Sequence, residues 1–188
     1  MLNHTSSPAR RRAAQSTLVI ALGLAVSLTA CVSRDSGNQP ATPTPTQTQT
    51  ALYTSDEEAL AAAEKVYREY LEVSDAIARE GGIDADRLRP FVTADQYDLD
   101  RAFFARLRAD EMHFEGGVVL ETVELQTATP NEVIIYGCLN VGAARQIDKE
   151  GRDVTSPTRE ERVLVEVALL VERGNLLISG LEPWSTSC

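Results

Sequence analysis

The chain contains few of the residues from which metal and redox sites are built. It has three cysteines and two histidines among 188 residues, and no two cysteines have the spacing CxxC. Zinc sites use clusters of cysteine and histidine, and thioredoxin-like centres use a CxxC pair. The fingerprints of nucleotide-binding proteins and serine hydrolases are also absent. The sequence therefore predicts neither a metal nor a cofactor.

Long apolar runs are also absent, because the run at residues 18–26 is well short of the ~20 apolar residues that a membrane-spanning helix needs. This run follows the basic residues 10–12 and ends in Leu28-Thr29-Ala30-Cys31. A basic segment, a short apolar segment and small residues before a cleavage point are typical of a secretory signal peptide.

The four residues that end at Cys31 resemble a bacterial lipobox. The resemblance implies a diacylglyceryl group on Cys31 and removal of residues 1–30 as a signal peptide. It also implies a mature protein held on the extracytoplasmic face of the cell membrane through that lipid, since two acyl chains make anchoring stable. An ordinary signal peptide cleaved near Ala30 and an uncleaved N-terminal anchor remain the alternatives.

The charge balance is acidic, with 18 basic and 28 acidic residues. Removal of residues 1–30 takes away three arginines and no acid, which leaves 15 basic and 28 acidic residues and a net charge of −13. Such a domain repels phosphate backbones, which argues against nucleic-acid binding. It also repels anionic lipid, so the lipid on Cys31 is the expected membrane partner.

Residues 31–52 are rich in Thr, Pro, Ser and Gln and contain few apolar side chains. Such a segment buries too little surface to fold, so we expect a disordered tether before a folded domain at residues 53–188.

Three helices are predicted at the start of this domain. Ser55 to Glu58 reads as a capping box, and it opens a helix that ends at Gly81-Gly82. A short helix from Asp84, its expected N-cap, to Leu88 is closed by Pro90. Thr93 to Gln96 is a second capping box, opening a helix that carries Leu99, Phe103 and Leu107 and ends near Asp110.

Branched residues then dominate four segments that read as strands, at 118–126, 133–141, 163–171 and 176–181. Short turns separate the first two and the last two of these strands. The predicted fold class is therefore α+β, with three N-terminal helices packed on a bent antiparallel sheet of about four strands.

This order of elements resembles the NTF2-like, or SnoaL-like, cone fold. The segments Tyr136-Gly137-Cys138, 148–154 and 177–184, with Cys188, are similar to those of a group of actinobacterial lipoproteins. The resemblance implies a pocket between helices and sheet, where some relatives catalyse isomerisation or hydration.

Such chemistry needs a base and a hydrogen-bond donor for a developing oxyanion. The candidate donors are Tyr67, Tyr70, Tyr97 and Tyr136, the candidate bases are His113, Asp98 and Asp100, and no spacing selects one pair. The candidate pocket residues are Tyr67, Tyr70, Phe103, Tyr136 and Trp184. Trp184 is interpreted as closing the core at the end of the last strand. The acids Asp95, Asp98 and Asp100 lack the pattern of a calcium loop and fit a helix N-terminus instead.

Cys138 and Cys188 are expected to form a disulfide. Once Cys31 carries a lipid, they are the remaining thiols, and the compartment outside the membrane is oxidising. The rival interpretation is a free Cys188 that pairs with another chain.

The anchor, the tether and the lack of a catalytic constellation favour a non-catalytic, lipid-anchored envelope module that binds a small apolar ligand or a partner protein. The alternatives are an isomerase or dehydratase-type enzyme that uses the cone pocket, and a structural subunit of an envelope assembly. A deep cavity with a paired acid and tyrosine would favour the enzyme, and a filled cone would favour a partner surface.

Overall fold

The computed structural model describes residues 52–185 and Cys188. The predicted signal peptide at residues 1–30, Cys31 and nearly all of the predicted tether lie outside the described residues. The domain begins with two α-helices, α1 at Asp56–Arg79 and α2 at Ala94–Ala109. A 3-10 helix at Ala85–Leu88 lies between them. Within the described part of the chain, no helix has both the length and the apolar character needed to cross a membrane.

Both predicted helix starts are confirmed. The Ser55 hydroxyl accepts a hydrogen bond from the Glu58 backbone N–H (3.2 Å), and the Thr93 hydroxyl accepts one from the Gln96 N–H (3.4 Å). The expected return contact of Glu58 to Ser55 is wrong, because the Glu58 carboxylate accepts from the Thr54 N–H instead (2.7 Å).

The prediction of three N-terminal helices needs a correction, because the middle element is a 3-10 helix of four residues. The chain leaves the direction of α1 at Gly82, which has a positive φ of 82°, and Pro90 follows soon after. Little more than one helical turn fits between them. Asp84 stands at the N-cap position, but its side chain makes no capping hydrogen bond.

Four long strands form the antiparallel sheet that the sequence predicted. They are β2 at Val119–Ala128, β3 at Glu132–Asn140, β5 at Arg162–Glu172 and β6 at Asn175–Ser185, and their order in the sheet is β2-β3-β5-β6. Register shifts occur within β2–β3 and within β5–β6, which is how a long antiparallel sheet bends. β6 runs past its predicted end and includes Trp184.

Two short strands were not predicted. β1 at His113–Glu115 pairs with β4 at Arg145–Ile147 in a separate two-stranded sheet. Gly116 has a positive φ of 77° between β1 and β2. A Cβ at that position would overlap the carbonyl oxygen of Ala143. The bend therefore needs glycine, and it brings the end of β1 against the loop that follows β3.

The core lies between the helices and one face of the long sheet. This face presents Val133, Ile135, Val167, Leu169 and Ile178, all fully buried. The Tyr67 ring of α1 lies directly over Gly137 of β3, where an added Cβ would be 3.1 Å from the ring.

Helix α2 faces the core with a different stripe from the predicted one. Tyr97, Asp100, Phe104 and Leu107 are buried, whereas Leu99 is 67% exposed. Of the three apolar residues that indicated this helix, Leu107 is buried, whereas Leu99 and Phe103 are exposed. Two buried polar residues, Gln96 and Asp100, lie on the inner face and hide its apolar period in the sequence.

The opposite face of the sheet carries Tyr136, which alternates with the inward residues of β3. Its ring lies 5.4 Å from that of Trp184, and Trp184 is 60% exposed. The interpretation of Trp184 as a residue that closes the core is therefore wrong. Cys138 lies on the same face, and a disulfide joins it to Cys188 with a Cα–Cα distance of 5.9 Å.

Candidate functional site

A cavity of about 310 Å³ opens between the second half of α1 and the start of β2, and we call it the α1–β2 cavity. Most of its wall is apolar, contributed by Ala78, Phe103, Phe114, Val118, Val141 and Ala144. Four charged side chains also line it: Asp75, Arg79, Glu115 and Arg159. Several elements thus converge on one site: α1, α2, β1 and the loops beyond β1, β3 and β4.

Asp75 fixes one wall of the cavity. Its carboxylate accepts a hydrogen bond from the Val118 backbone N–H (2.9 Å), which attaches α1 to the strand start. Burial raises the pKa of Asp75, against the opposing effects of the Val118 hydrogen bond and the Arg79 charge. Two residues further along the strand, the Arg68 guanidinium of α1 donates to the Leu120 carbonyl oxygen (3.2 Å).

The other charged residues of the wall differ in their pairing. Glu115 forms an ion pair with Arg145 (2.6 Å), across the β1–β4 sheet. Arg79 donates to the Gly116 carbonyl oxygen (3.5 Å), and Arg159 donates to the Gly142 carbonyl oxygen (3.1 Å). Both arginines therefore contact backbone rather than a carboxylate.

A buried polar cluster lies beside the cavity. Asp100 Oδ1 accepts hydrogen bonds from the Gln96 amide (2.9 Å) and the Tyr70 hydroxyl (3.3 Å). Asp100 Oδ2 is buried and has no hydrogen-bond partner within the described part of the chain. Burial raises the pKa of Asp100, and it also raises the pKa of Tyr70, with a further contribution from the Asp100 charge. The hydrogen bonds from Gln96 and Tyr70 oppose the effect of burial on the Asp100 pKa, because they favour the ionised carboxylate.

The cluster and the cavity adjoin each other without merging. The Ser74 hydroxyl lowers the pKa of Tyr70, and Ser74 lines the cavity. Phe103, which also lines the cavity, follows Asp100 by one helical turn. Neither Tyr70 nor Asp100 is itself part of the cavity wall.

The predicted pocket residues are separated by the fold. Phe103 lines the α1–β2 cavity, and Tyr67 and Tyr70 are buried in the core behind it. Tyr136 and Trp184 lie together on the opposite face of the sheet. Of the candidate donors and bases, the structure pairs Tyr70 with Asp100.

The other candidate donors and bases have structural contacts elsewhere. The Tyr97 hydroxyl donates to Asp86, and the Arg89 guanidinium lies 3.8 Å from the centre of its ring. Asp98 is exposed and pairs with Arg101 (3.5 Å). His113 begins β1, where it pairs with Ile147 of β4. Among residues 52–185 and Cys188, no three His, Cys, Asp or Glu side chains converge as metal ligands would.

Sequence reasoning missed Asp75, Arg79 and Arg159. Asp75 and Arg79 lie in a helix rich in charged residues, and Arg159 lies in a polar loop. Charged residues in such segments are mostly solvated, so the sequence did not mark any of the three positions as part of a site.

This chain is similar to known proteins in structure and not in sequence. No family model matches the sequence, and no curated protein matches it. The intermembrane-space region of the chloroplast protein ARC6 is 8% identical over 67% of this chain and 96% of its own, with a TM-score of 0.53. A candidate aromatic ring hydroxylase from Novosphingobium aromaticivorans is 13% identical, covering 70% and 93% of the two chains, with a TM-score of 0.49.

A third similar structure is that of Aln2 from a Streptomyces species. It is 15% identical over 69% of this chain and 93% of its own, with a TM-score of 0.41. At identities this low, structural similarity carries no residue roles.

Proposed function

Proceeding from the NTF2-like cone fold that this chain has, we propose that the domain binds a small apolar ligand in the α1–β2 cavity. One observation carries this proposal: the cavity is mostly apolar, and its volume of about 310 Å³ lies at the lower end of the ~300–1,000 Å³ that is typical of ligand pockets. A few polar groups in an apolar wall are what a site needs to orient a ligand.

The proposal extends to the place where the domain works. We propose that a lipid on Cys31 holds it outside the cell membrane and that residues 31–52 let it move away from the surface. The basic residues, the short apolar run and the lipobox-like end at Cys31 support this part of the proposal.

A pair of variants at the strand start tests ligand binding. Val118 lines the cavity, whereas its neighbour Val119 does not line it and is 57% exposed. Val118→Trp should fill the cavity and abolish binding of 4-phenylbutan-1-ol or 4-phenylbutyrate in a calorimetric titration. Val119→Trp adds the same volume outside the cavity and should bind like the wild type. Equal binding by the two variants would contradict the proposal.

A further inference from the structure

The pairing of arginines in the domain is uneven. Seven described arginines form ion pairs with carboxylates: Arg68, Arg87, Arg89, Arg101, Arg145, Arg152 and Arg162. The five described arginines without such a pair are Arg79, Arg106, Arg108, Arg159 and Arg173. Two of these five, Arg79 and Arg159, line the same cavity. In a chain with an excess of acids, two unpaired cations beside one apolar cavity require an explanation.

Each of the two guanidiniums retains most of its hydrogen-bonding capacity. A guanidinium has five N–H donors, and within the described part of the chain Arg79 and Arg159 each donate to one carbonyl oxygen. Arg159 is half-buried, and Arg79 is exposed at the cavity rim. The fork of donors matches a carboxylate, which it can bind through two parallel hydrogen bonds.

The two acids that line the cavity have other partners. Asp75 accepts from the Val118 N–H, and the nearby Arg79 charge lowers its pKa, whereas Glu115 pairs with Arg145. Hydrogen bonds from Thr155 are the main cause of the lowered pKa of Asp153, and Arg159 is the weakest cause of that shift. Arg79 also gains from the dipole at the end of α1, but this does not apply to Arg159, which comes from a loop.

From these observations we infer that the ligand of the α1–β2 cavity is an apolar carboxylate whose anionic group is bound by Arg79 and Arg159. The apolar wall holds the body of the ligand, and the two guanidiniums select its charge. This inference rests on the proposed function, because it names the class of ligand for the same cavity.

Two probes with the same carbon skeleton separate the contribution of charge from that of apolar character. 4-Phenylbutyrate and 4-phenylbutan-1-ol share an aromatic body that fits a wall containing Phe103 and Phe114. Each is titrated by calorimetry at pH 7.5 into the full chain carrying Cys31→Ala, which leaves every residue of the cavity in place. The carboxylate should bind at least tenfold more tightly than the alcohol, and added salt should reduce the difference.

Three substitutions complete the experiment. Arg79→Gln and Arg159→Gln should each weaken binding of the carboxylate about tenfold and leave binding of the alcohol unchanged. Arg106→Gln removes an unpaired arginine outside the cavity and serves as the matched control, with wild-type affinities expected. Thermal unfolding of each variant confirms that it is folded.

Each outcome has a definite reading. The inference is supported if the preference for the carboxylate is lost in Arg79→Gln and Arg159→Gln and kept in Arg106→Gln. Equal binding of both probes, or a preference that survives both substitutions, overturns the inference and leaves apolar ligand binding standing. Absence of binding by either probe overturns the inference together with the proposed function.

Discussion

At the scale of single residues, Asp100 is the most unusual group in the domain. Its carboxyl is buried, one oxygen has two donors, and the other has no partner within the described part of the chain. Burial raises its pKa, so the folded protein binds this proton more tightly than the unfolded chain does. The free energy of unfolding should therefore fall as pH rises from about 4 through the folded-state pKa, and level off above it.

Asp100→Asn should remove this pH dependence. The amide keeps an acceptor for Gln96 and Tyr70 but never ionises, so the variant should be more stable than the wild type at pH 7 and about equal to it near pH 3. Each unit of pKa difference corresponds to about 1.4 kcal/mol. Urea unfolding across this pH range measures the effect.

Asp98→Asn is the matched control, since Asp98 lies two residues away on the exposed side of α2. It should change the unfolding free energy by less than about 0.5 kcal/mol. An Asn variant at position 100 that loses stability at neutral pH would show that the fold favours the ionised Asp100 carboxylate, and it would contradict the raised pKa.

Asp100 also explains why the inner face of α2 was not predicted. Apolar periodicity identifies the core face of a helix when that face is uniformly apolar. Here Gln96 and Asp100 are buried and Leu99 is exposed. The apolar residues in the sequence therefore do not mark the buried face of the helix. A polar group that is buried through a partner on another helix, as Asp100 is through Tyr70, leaves no pattern in its own segment.

At the scale of elements, the bend at Gly116 is the feature on which the cavity depends. Gly116 and Gly151 have nearly equal φ values of 77° and 78°. A Cβ on Gly116 would overlap a backbone oxygen, whereas nothing lies within 4 Å of one on Gly151. The two glycines therefore share a backbone conformation but differ in the room that is available for a side chain.

Substitution by alanine should separate these two effects. Gly151→Ala should cost about 1 kcal/mol of unfolding free energy, the strain of a left-handed residue. Gly116→Ala should cost at least twice as much, because the β1–β2 bend must also move away from Ala143. Chemical denaturation of both variants measures the costs, and equal losses would contradict the close approach.

Long elements were predicted well and short ones were not. The four long strands contain enough branched residues to show themselves in sequence, and both helix starts carry capping residues. β1 and β4 have three residues each and lie about thirty residues apart, so neither shows an alternating pattern. Such strands exist because tertiary packing brings them together, which is why the cavity wall that they help to form was not foreseen.

At the scale of the whole molecule, the Cys138–Cys188 bridge closes a loop with a sequence separation of 50 residues. The chain-entropy model gives about 4 kcal/mol for a loop of this size, as an upper figure. Cys188→Ser should lower the unfolding free energy by up to this amount. The wild-type protein should lose the same amount when it is unfolded in the presence of a reductant.

Thiol titration of the unfolded, unreduced wild-type protein provides the direct measurement. No free thiol from Cys138 or Cys188 is expected. Two free thiols would contradict the bridge, and a covalent dimer that dithiothreitol dissolves would support pairing between chains.

Anchoring is the second prediction at this scale. Cys31→Ala should move the protein from the detergent phase to the aqueous phase in a phase-partition assay, because the lipid is the expected attachment. Ser33→Ala keeps the lipobox-like residues and should partition like the wild type. An unmodified N-terminus at another residue, found by mass spectrometry of the native protein, would contradict the prediction.

The sequence predicted the fold of this domain better than its site. The order of helices and strands follows from local patterns, but the cavity joins Arg79 of α1 to Arg159 of a distant loop. Of the aromatic candidates for the pocket, Phe103 reaches the cavity wall. The bend at Gly116 and the short strands determine which side chains share the cavity. Neither feature can be predicted from the sequence of a single segment.

The contacts of α1 with β2 also bear on solubility. β2 is an edge strand of the long sheet, and an edge strand offers unpaired backbone groups to a strand from another molecule. Asp75 occupies the N–H of Val118 and Arg68 occupies the carbonyl of Leu120, both on the open side of this strand start. These two backbone groups are therefore not available to a strand of a second copy, and α1, the helix that walls the cavity, shields the start of this edge strand from edge-to-edge pairing.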